Sequence, residues 1–158
     1  MGHHLGHHSA ATIAEAPPRE FQRDNLVLRI NVTIPADPNA ISPVVGGIME
    51  MARWMDCIEG KETELETSLR EALANAITHG CHGDPSKKVQ CCVACDEDHS
   101  LLILVRDPGS GFDPKALPDP TLGENLLSAH GRGIYLINEL MDEVRFERGG
   151  SQIFMRKQ

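Results

Sequence analysis

A chain of 158 residues, 41% hydrophobic and 24% charged, has the size and composition of one globular domain with a single buried core. A net charge of −8 argues against non-specific binding to nucleic acid or anionic membrane, yet leaves room for a local basic phosphate site. No apolar run approaches the ~18 residues of a membrane span, and the N-terminus lacks a secretory pattern, so a cytoplasmic protein is expected.

The opening MGHHLGHHSA and the segment up to about residue 20 show no periodicity and read as a flexible His-rich tail, native or added. Residues 21–158 are expected to form a single domain. Leu26, Leu28, Ile30, Val32 and Ile34 alternate with Val27, Arg29, Asn31 and Thr33, a period of two that predicts a strand with one buried face. Pro35 and Pro38 end it. Apolar residues at three- and four-residue steps predict a helix from about Ser42 to Glu59, with Ser42 as cap, Pro43 in the first turn and Gly60 as stop. A second helix is expected from about Glu62 to His79, striped by Leu65, Leu69, Leu73, Ala76 and Ile77 and terminated by Gly80.

Residues Val89–Cys95 and Leu101–Arg106 read as paired strands. The second is apolar throughout and is expected near the sheet centre. Residues 107–130 carry many Gly and Pro without a period, and a loop of that length inside a domain is commonly a functional lid. A short helix from about Arg132 to Met141 follows, then a hairpin of Val144–Glu147 and Gln152–Arg156 around Gly149-Gly150. The order β-α-α-β-β-loop-α-β-β predicts an α+β fold, a two-layer sandwich with helices on one face of a mixed, mostly antiparallel sheet.

Three short segments carry chemistry. Glu71, Asn75 and His79 fall at i, i+4 and i+8 on the second helix and share one face. A carboxylate and an amide oxygen one turn apart suit Mg²⁺, although a solvated polar face has the same pattern. Asp107 stands at the exit of the central strand, followed by Gly109 and Gly111. An ionised carboxylate there accepts from an exocyclic amino group such as that of adenine, and the glycines permit close backbone approach; a tight turn uses the same residues. His130-Gly131-Arg132-Gly133 opens the last helix, where backbone N–H groups and the Arg132 guanidinium favour an anion. Neither a Walker GxxxxGK[ST] nor a GxGxxG is present.

ExxxN on a helix, DxGxG after a buried strand and GxG at a later helix, in that order, resemble the N, G1 and G2 boxes of the GHKL (Bergerat-fold) ATPases. That superfamily takes in gyrase-type topoisomerases, MutL-type repair proteins, histidine kinases and anti-sigma factor serine kinases. EALANAITHG, DPGSGFDP and GRGIYLINELMDEV are similar to the last branch in particular, and the resemblance covers roughly residues 25–157. It implies a histidine kinase-like ATPase fold that binds ATP with Mg²⁺. Asn75 would hold the metal, Asp107 the adenine amino group, Gly109 and Gly111 the base, and Gly131, Arg132 and Gly133 the phosphates. Glu71 would be the general base for an attacking serine. It further implies a homodimer that sequesters a sigma factor and phosphorylates an anti-anti-sigma antagonist on serine. A nucleotide-dependent switch without phosphotransfer and a simple ATPase are the alternatives. One departure is the arginine that some members carry before the G2 glycines; Ala129 and His130 stand there.

Five cysteines form no evident disulfide framework, and reduced thiols are expected. Cys92 and Cys95 make a CxxC, but on a strand they point to opposite faces, which argues against chelation or a mutual disulfide. Trp54 and the nearby Met49, Met51 and Met55 are expected to pack in the core, with any exposed part available to a partner.

Overall fold

The structure, a computed structural model, describes residues 18–109 and 129–158. The His-rich opening, the middle of the expected lid and Gly111 lie outside the described residues.

Five strands form one sheet in the order β1-β2-β3-β5-β4, with β1 Leu26–Pro35, β2 Lys88–Asp96, β3 Leu101–Arg106, β4 Glu143–Glu147 and β5 Gln152–Lys157. Every pairing among them is antiparallel. The sheet expected to be mixed is therefore wholly antiparallel, because the closing hairpin places β5 between β3 and β4 and pairs it antiparallel with both. β3 is buried along its whole length, as its unbroken apolar run requires. β1 alternates between inward and outward residues as its period of two dictates, with Ile30 and Ile34 buried and Arg29, Asn31 and Thr33 exposed.

The helices α1 (Ile41–Trp54), α2 (Glu62–Asn75) and α3 (Ala129–Leu140) complete the described framework. Val45, Ile48, Met49 and Ala52 of α1, Leu65, Leu69 and Leu73 of α2 and Ile137 of α3 share one core cluster with Ile30, Val93, Ile103 and Met155 of the sheet. This is the α+β two-layer arrangement, with the helical layer on one face. The opposite face carries a smaller cluster of Phe21, Cys92, Ala94, Leu102, Leu104 and Phe154. Phe21 comes from a 3₁₀ turn at Arg19–Gln22 and meets Phe154 edge-on at 6.0 Å. Burying that ring fully contributes roughly 1.5–3 kcal/mol. Arg145 caps the pair from 4.1 Å above Phe154 while its guanidinium donates to Glu20 at 2.9 Å.

Several local features differ from the sequence reading. α1 follows a 3₁₀ turn at Pro38–Ala40, where the Asp37 carboxylate accepts from the Asn39 amide at 2.9 Å. Ser42 therefore lies inside the helix rather than capping it, and its hydroxyl accepts from Arg70 at 3.0 Å. The helix ends at Trp54, because Asp56 takes φ 54° and turns the chain. Met49 packs in the core as expected, but Trp54 is 88% exposed, Met51 50% and Met55 46%. Cys57, just beyond this turn, is disulfide-bonded to Cys95 of β2, which corrects the reading of all five thiols as reduced. Cys92 and Cys95 do fall in the two opposite clusters.

Candidate functional site

α2 runs straight into a single π-helical turn, Ala76–Gly80, and this junction carries the site. Leu65, Leu69 and Leu73 anchor one face of the helix in the core, so Glu71 and Asn75, on the adjoining face, are half-buried beside that stripe. A π turn after a regular helix is uncommon and frequent at functional sites. Here it widens the last turn where the chain must pass Asp107.

Gly133 of α3 meets Glu71 and Asn75. A Cβ added to Gly133 would stand 2.6 Å from Glu71 Oε2 and 3.3 Å from Asn75 Nδ2. Only hydrogen fits there, so the backbone of α3 lies directly against the carboxylate and amide of α2. Gly131 and Arg132 belong to the same helix, which is already formed at Ala129 and His130; Arg132 is exposed. The expected opening GxG therefore lies within the helix.

The second cluster forms at the end of β3. The Asp107 amide donates to the Ser151 carbonyl at 2.9 Å, tying the strand exit to β5. Asp107 Oδ1 accepts from the Gly109 amide at 2.7 Å, so the turn orients the carboxylate. Burial raises the pKa of Asp107, partly offset by the Gly109 N–H and by His82. Gly80 closes the site from the helix side: a Cβ built on it would overlap the Asp107 carboxylate, with Oδ1 at 2.6 Å. A Cβ on Gly109 would strike the Gly80 carbonyl and approach Asp107 Oδ1 at 2.8 Å. Gly80 and Gly109 thus admit Asp107 between them. Cys81, buried next to Gly80, has its thiol pKa pushed up by burial and then by the Asp107 carboxylate.

The structure brings Glu71, Asn75 and Gly133 into one cluster and Asp107 and Gly109 into another. The π turn from Ala76 to Gly80 joins them. Gly111 lies outside the described residues. Sequence reasoning missed Gly80, taken as a helix stop, and did not single out Ser151. A glycine one residue short of a buried cysteine gave no sign of which side chain it would touch.

These residues fit a magnesium nucleotide. Gly80 and Gly109 let the Asp107 carboxylate seat between their backbones, and that half-buried carboxylate suits an amino donor. Asn75, one helical turn from the Glu71 carboxylate, offers the kind of oxygen ligand that Mg²⁺, which keeps most of its waters, takes from a protein.

Comparison with known proteins follows the same lines. Residues 34–157 match the model of the histidine kinase-like ATPase domain. The anti-sigma F factor of Priestia megaterium is 30% identical over 100 residues, covering 60% of this chain and 68% of that protein. The serine-protein kinase RsbW of Bacillus subtilis (strain 168) is 28% identical over 137 residues, covering 81% and 84%. The fold is similar to a crystal structure of the RsbU and RsbW domains of a Mycobacterium tuberculosis protein, with a TM-score of 0.59 and 17% identity over 84% of this chain and 32% of that one. It is also similar to the SiaB–SiaC complex of Pseudomonas aeruginosa, with a TM-score of 0.51 and 15% identity over 97% and 98%. The chain belongs to the histidine kinase-like ATPase domain family, in the branch of the anti-sigma factors and serine-protein kinases.

Proposed function

We propose that this chain is an ATP-dependent protein serine kinase that sequesters a sigma factor and phosphorylates an anti-anti-sigma antagonist on serine. The observation that carries this reading is the packing of Gly133 against Glu71 and Asn75 at one end of the π turn, with Asp107 seated between Gly80 and Gly109 at the other. Cytoplasmic residence and a homodimer are part of the proposal. Among the described residues no helix is long and apolar enough to cross a membrane.

When bound, the magnesium nucleotide supplies the transferable phosphoryl group and charge neutralisation at the phosphates. The chain's residues do the rest. Asp107 accepts a hydrogen bond from the adenine amino group, and its 2.7 Å bond from Gly109 holds the carboxylate in place. The Asn75 side-chain oxygen would hold the metal, and the backbones at Gly131 and Gly133 with the Arg132 guanidinium would hold the phosphates. Glu71 takes the proton from the incoming serine hydroxyl on its carboxylate as the oxygen attacks.

Incubation with γ-labelled ATP and a cognate antagonist tests the proposal. Label on antagonist serine supports it. Release of free phosphate alone indicates an ATPase, and nucleotide binding with neither product indicates a switch without phosphotransfer; either result overturns the kinase assignment.

A further inference from the structure

The solvent side of α1 carries an apolar surface to which none of Glu71, Asn75, Asp107 or Gly133 contributes. Met51, Trp54 and Met55 are all exposed, and Trp54, at 88%, stands almost wholly in water. Gly47, Met51 and Trp54 follow the i, i+4, i+7 spacing of one helix face. The other face, with Val45, Ile48, Met49 and Ala52, is buried in the core. An indole left in water at the end of a helix adds nothing to the stability of the chain that carries it.

Gly46 and Gly47, one turn before Met51, supply a second observation. Both lie inside α1 without a positive φ, and a Cβ built on either would meet nothing within 4 Å. Glycine is the poorest helix former apart from proline, so alanine would suit both positions better if the fold of this chain were the only demand. Among the described residues no neighbour needs the missing methyl groups. What the two glycines do provide is a strip of exposed helix backbone beside Met51 and Trp54. Such a strip lets a second helix approach more closely than side chains would allow.

Charge sets the character of that helix. From residue 50 to residue 62 the chain carries Glu50, Asp56, Glu59 and Glu62 against Arg53 and Lys61, and the Lys61 amine donates to the His99 carbonyl. Glu50, Asp56 and Glu59 are exposed, and among the described residues none of the three enters an ion pair or a side-chain hydrogen bond. Two copies of this chain meeting on this face would set one acidic rim against another, which is unfavourable. A cationic partner meets no such penalty.

We infer that the Gly46-Gly47 strip with Met51, Trp54 and Met55 is a docking surface for an amphipathic helix of another protein, one whose apolar stripe is flanked by lysine or arginine. Trp54 is the anchor that enters the stripe, and the acidic rim faces the basic flanks. The surface stands whether or not the chain binds nucleotide.

Trp54 is the only tryptophan in the chain, so its emission reports the surface directly. The probe is a synthetic amphipathic helix of about 18 residues, or about five turns, with a leucine stripe and lysine elsewhere; a control peptide carries glutamate in place of lysine. Titrated into the full chain, the lysine peptide should shift Trp54 emission to the blue and saturate, and the glutamate peptide should not. Gly46→Ala/Gly47→Ala should raise the melting temperature by about 4–8 °C, since two poor helix formers are replaced. The same variant should weaken uptake of the lysine peptide by at least about tenfold. Greater stability with weaker docking is a combination that a purely structural role for the glycines would not give. Trp54→Ser, followed by the anisotropy of a labelled lysine peptide, should lose affinity by at least about tenfold while circular dichroism stays unchanged. No shift with the folded chain, an equal shift with the glutamate peptide, or parent-like uptake by the alanine variant would overturn the inference. So would an equal shift on phosphatidylcholine vesicles, which would assign the surface to a membrane. Emission already blue without peptide, and moving to the red on dilution, would assign it to a second copy of the chain and overturn the inference as well.

Discussion

Gly133 on α3 lies so close to Glu71 on α2 that a methyl group there would stand 2.6 Å from the Glu71 Oε2 atom. Gly133→Ala must push the carboxylate aside or lift α3 from α2. A shift of about 1 Å at a reacting group can cost around 10²-fold in rate. We expect this variant to fold and to lose phosphotransfer by at least about tenfold, read as labelled antagonist per unit time. Full transfer by Gly133→Ala would place the reaction elsewhere.

Glu71→Gln keeps the shape of the side chain and removes its capacity to take a proton. Transfer to serine should fall by about 10²- to 10⁴-fold, the usual worth of a general base. Nucleotide affinity, measured by calorimetry, should stay as it is. Equal losses of binding and transfer would mean that Glu71 acts through the metal or the fold instead.

Asp107→Asn separates recognition from stability. The asparagine oxygen can still accept the Gly109 N–H, but its amide presents a donor where the adenine amino group needs an acceptor. Nucleotide affinity should drop by about 10- to 100-fold, for a loss of roughly 1–3 kcal/mol. Stability should move the other way. Burial raises the pKa of Asp107, so the folded state favours the protonated acid. Its contribution is therefore complete at acid pH and is lost as pH rises through the raised value. Asp107→Asn should be more thermostable than the parent at neutral pH, with the gap closing on acidification. Nucleotide binding by the parent should weaken over the same acid range, as the acceptor is protonated.

Gly80→Ala tests the seat of that carboxylate. A Cβ at 80 overlaps Asp107, so either the π turn or the strand exit must move. Overpacking of this kind costs about 1–3 kcal/mol. Urea unfolding should show a loss in that range, with a weaker Mg-ADP response than the parent. Unchanged stability and binding would mean that the two elements are not in register as described.

The disulfide is testable by counting thiols. With Cys57 and Cys95 bonded and Cys81, Cys91 and Cys92 free, the denatured chain should show three thiols, and five after reduction. Burial pushes the Cys91 thiol up to about 12 and Cys92 up to about 11, so neither should react in the native protein. A bridge across a sequence separation of 38 contributes about 3–4 kcal/mol in the chain-entropy picture. Reduction should therefore lower the melting temperature by roughly 10 °C. Five thiols without reductant would remove the bridge.

Much of the fold was legible because it depends on local periodicity. The alternation of Leu26 to Ile34 and the stripe of Leu65, Leu69 and Leu73 each have one geometric solution. Asn75 and Asp107 stood out because their residue types recur at a recognisable spacing. Through-space relations were hidden. Nothing in the neighbourhood of Gly80 names Asp107 as the group it must admit, and nothing near Cys57 names Cys95. The exposure of Trp54 was missed for a related reason: Met51, Trp54 and Met55 continue the helical apolar spacing, but Asp56 reverses the chain before a partner element covers them.

Calorimetric titration of Mg-ATP into the folded chain, alongside Asn75→Ala and Asp107→Asn, tests most directly whether the two clusters at the ends of the π turn serve one nucleotide. The expected result is one site per chain, with both variants weakened by at least about tenfold at unchanged fold. No heat from the folded parent, or parent-like binding by both variants, would contradict it.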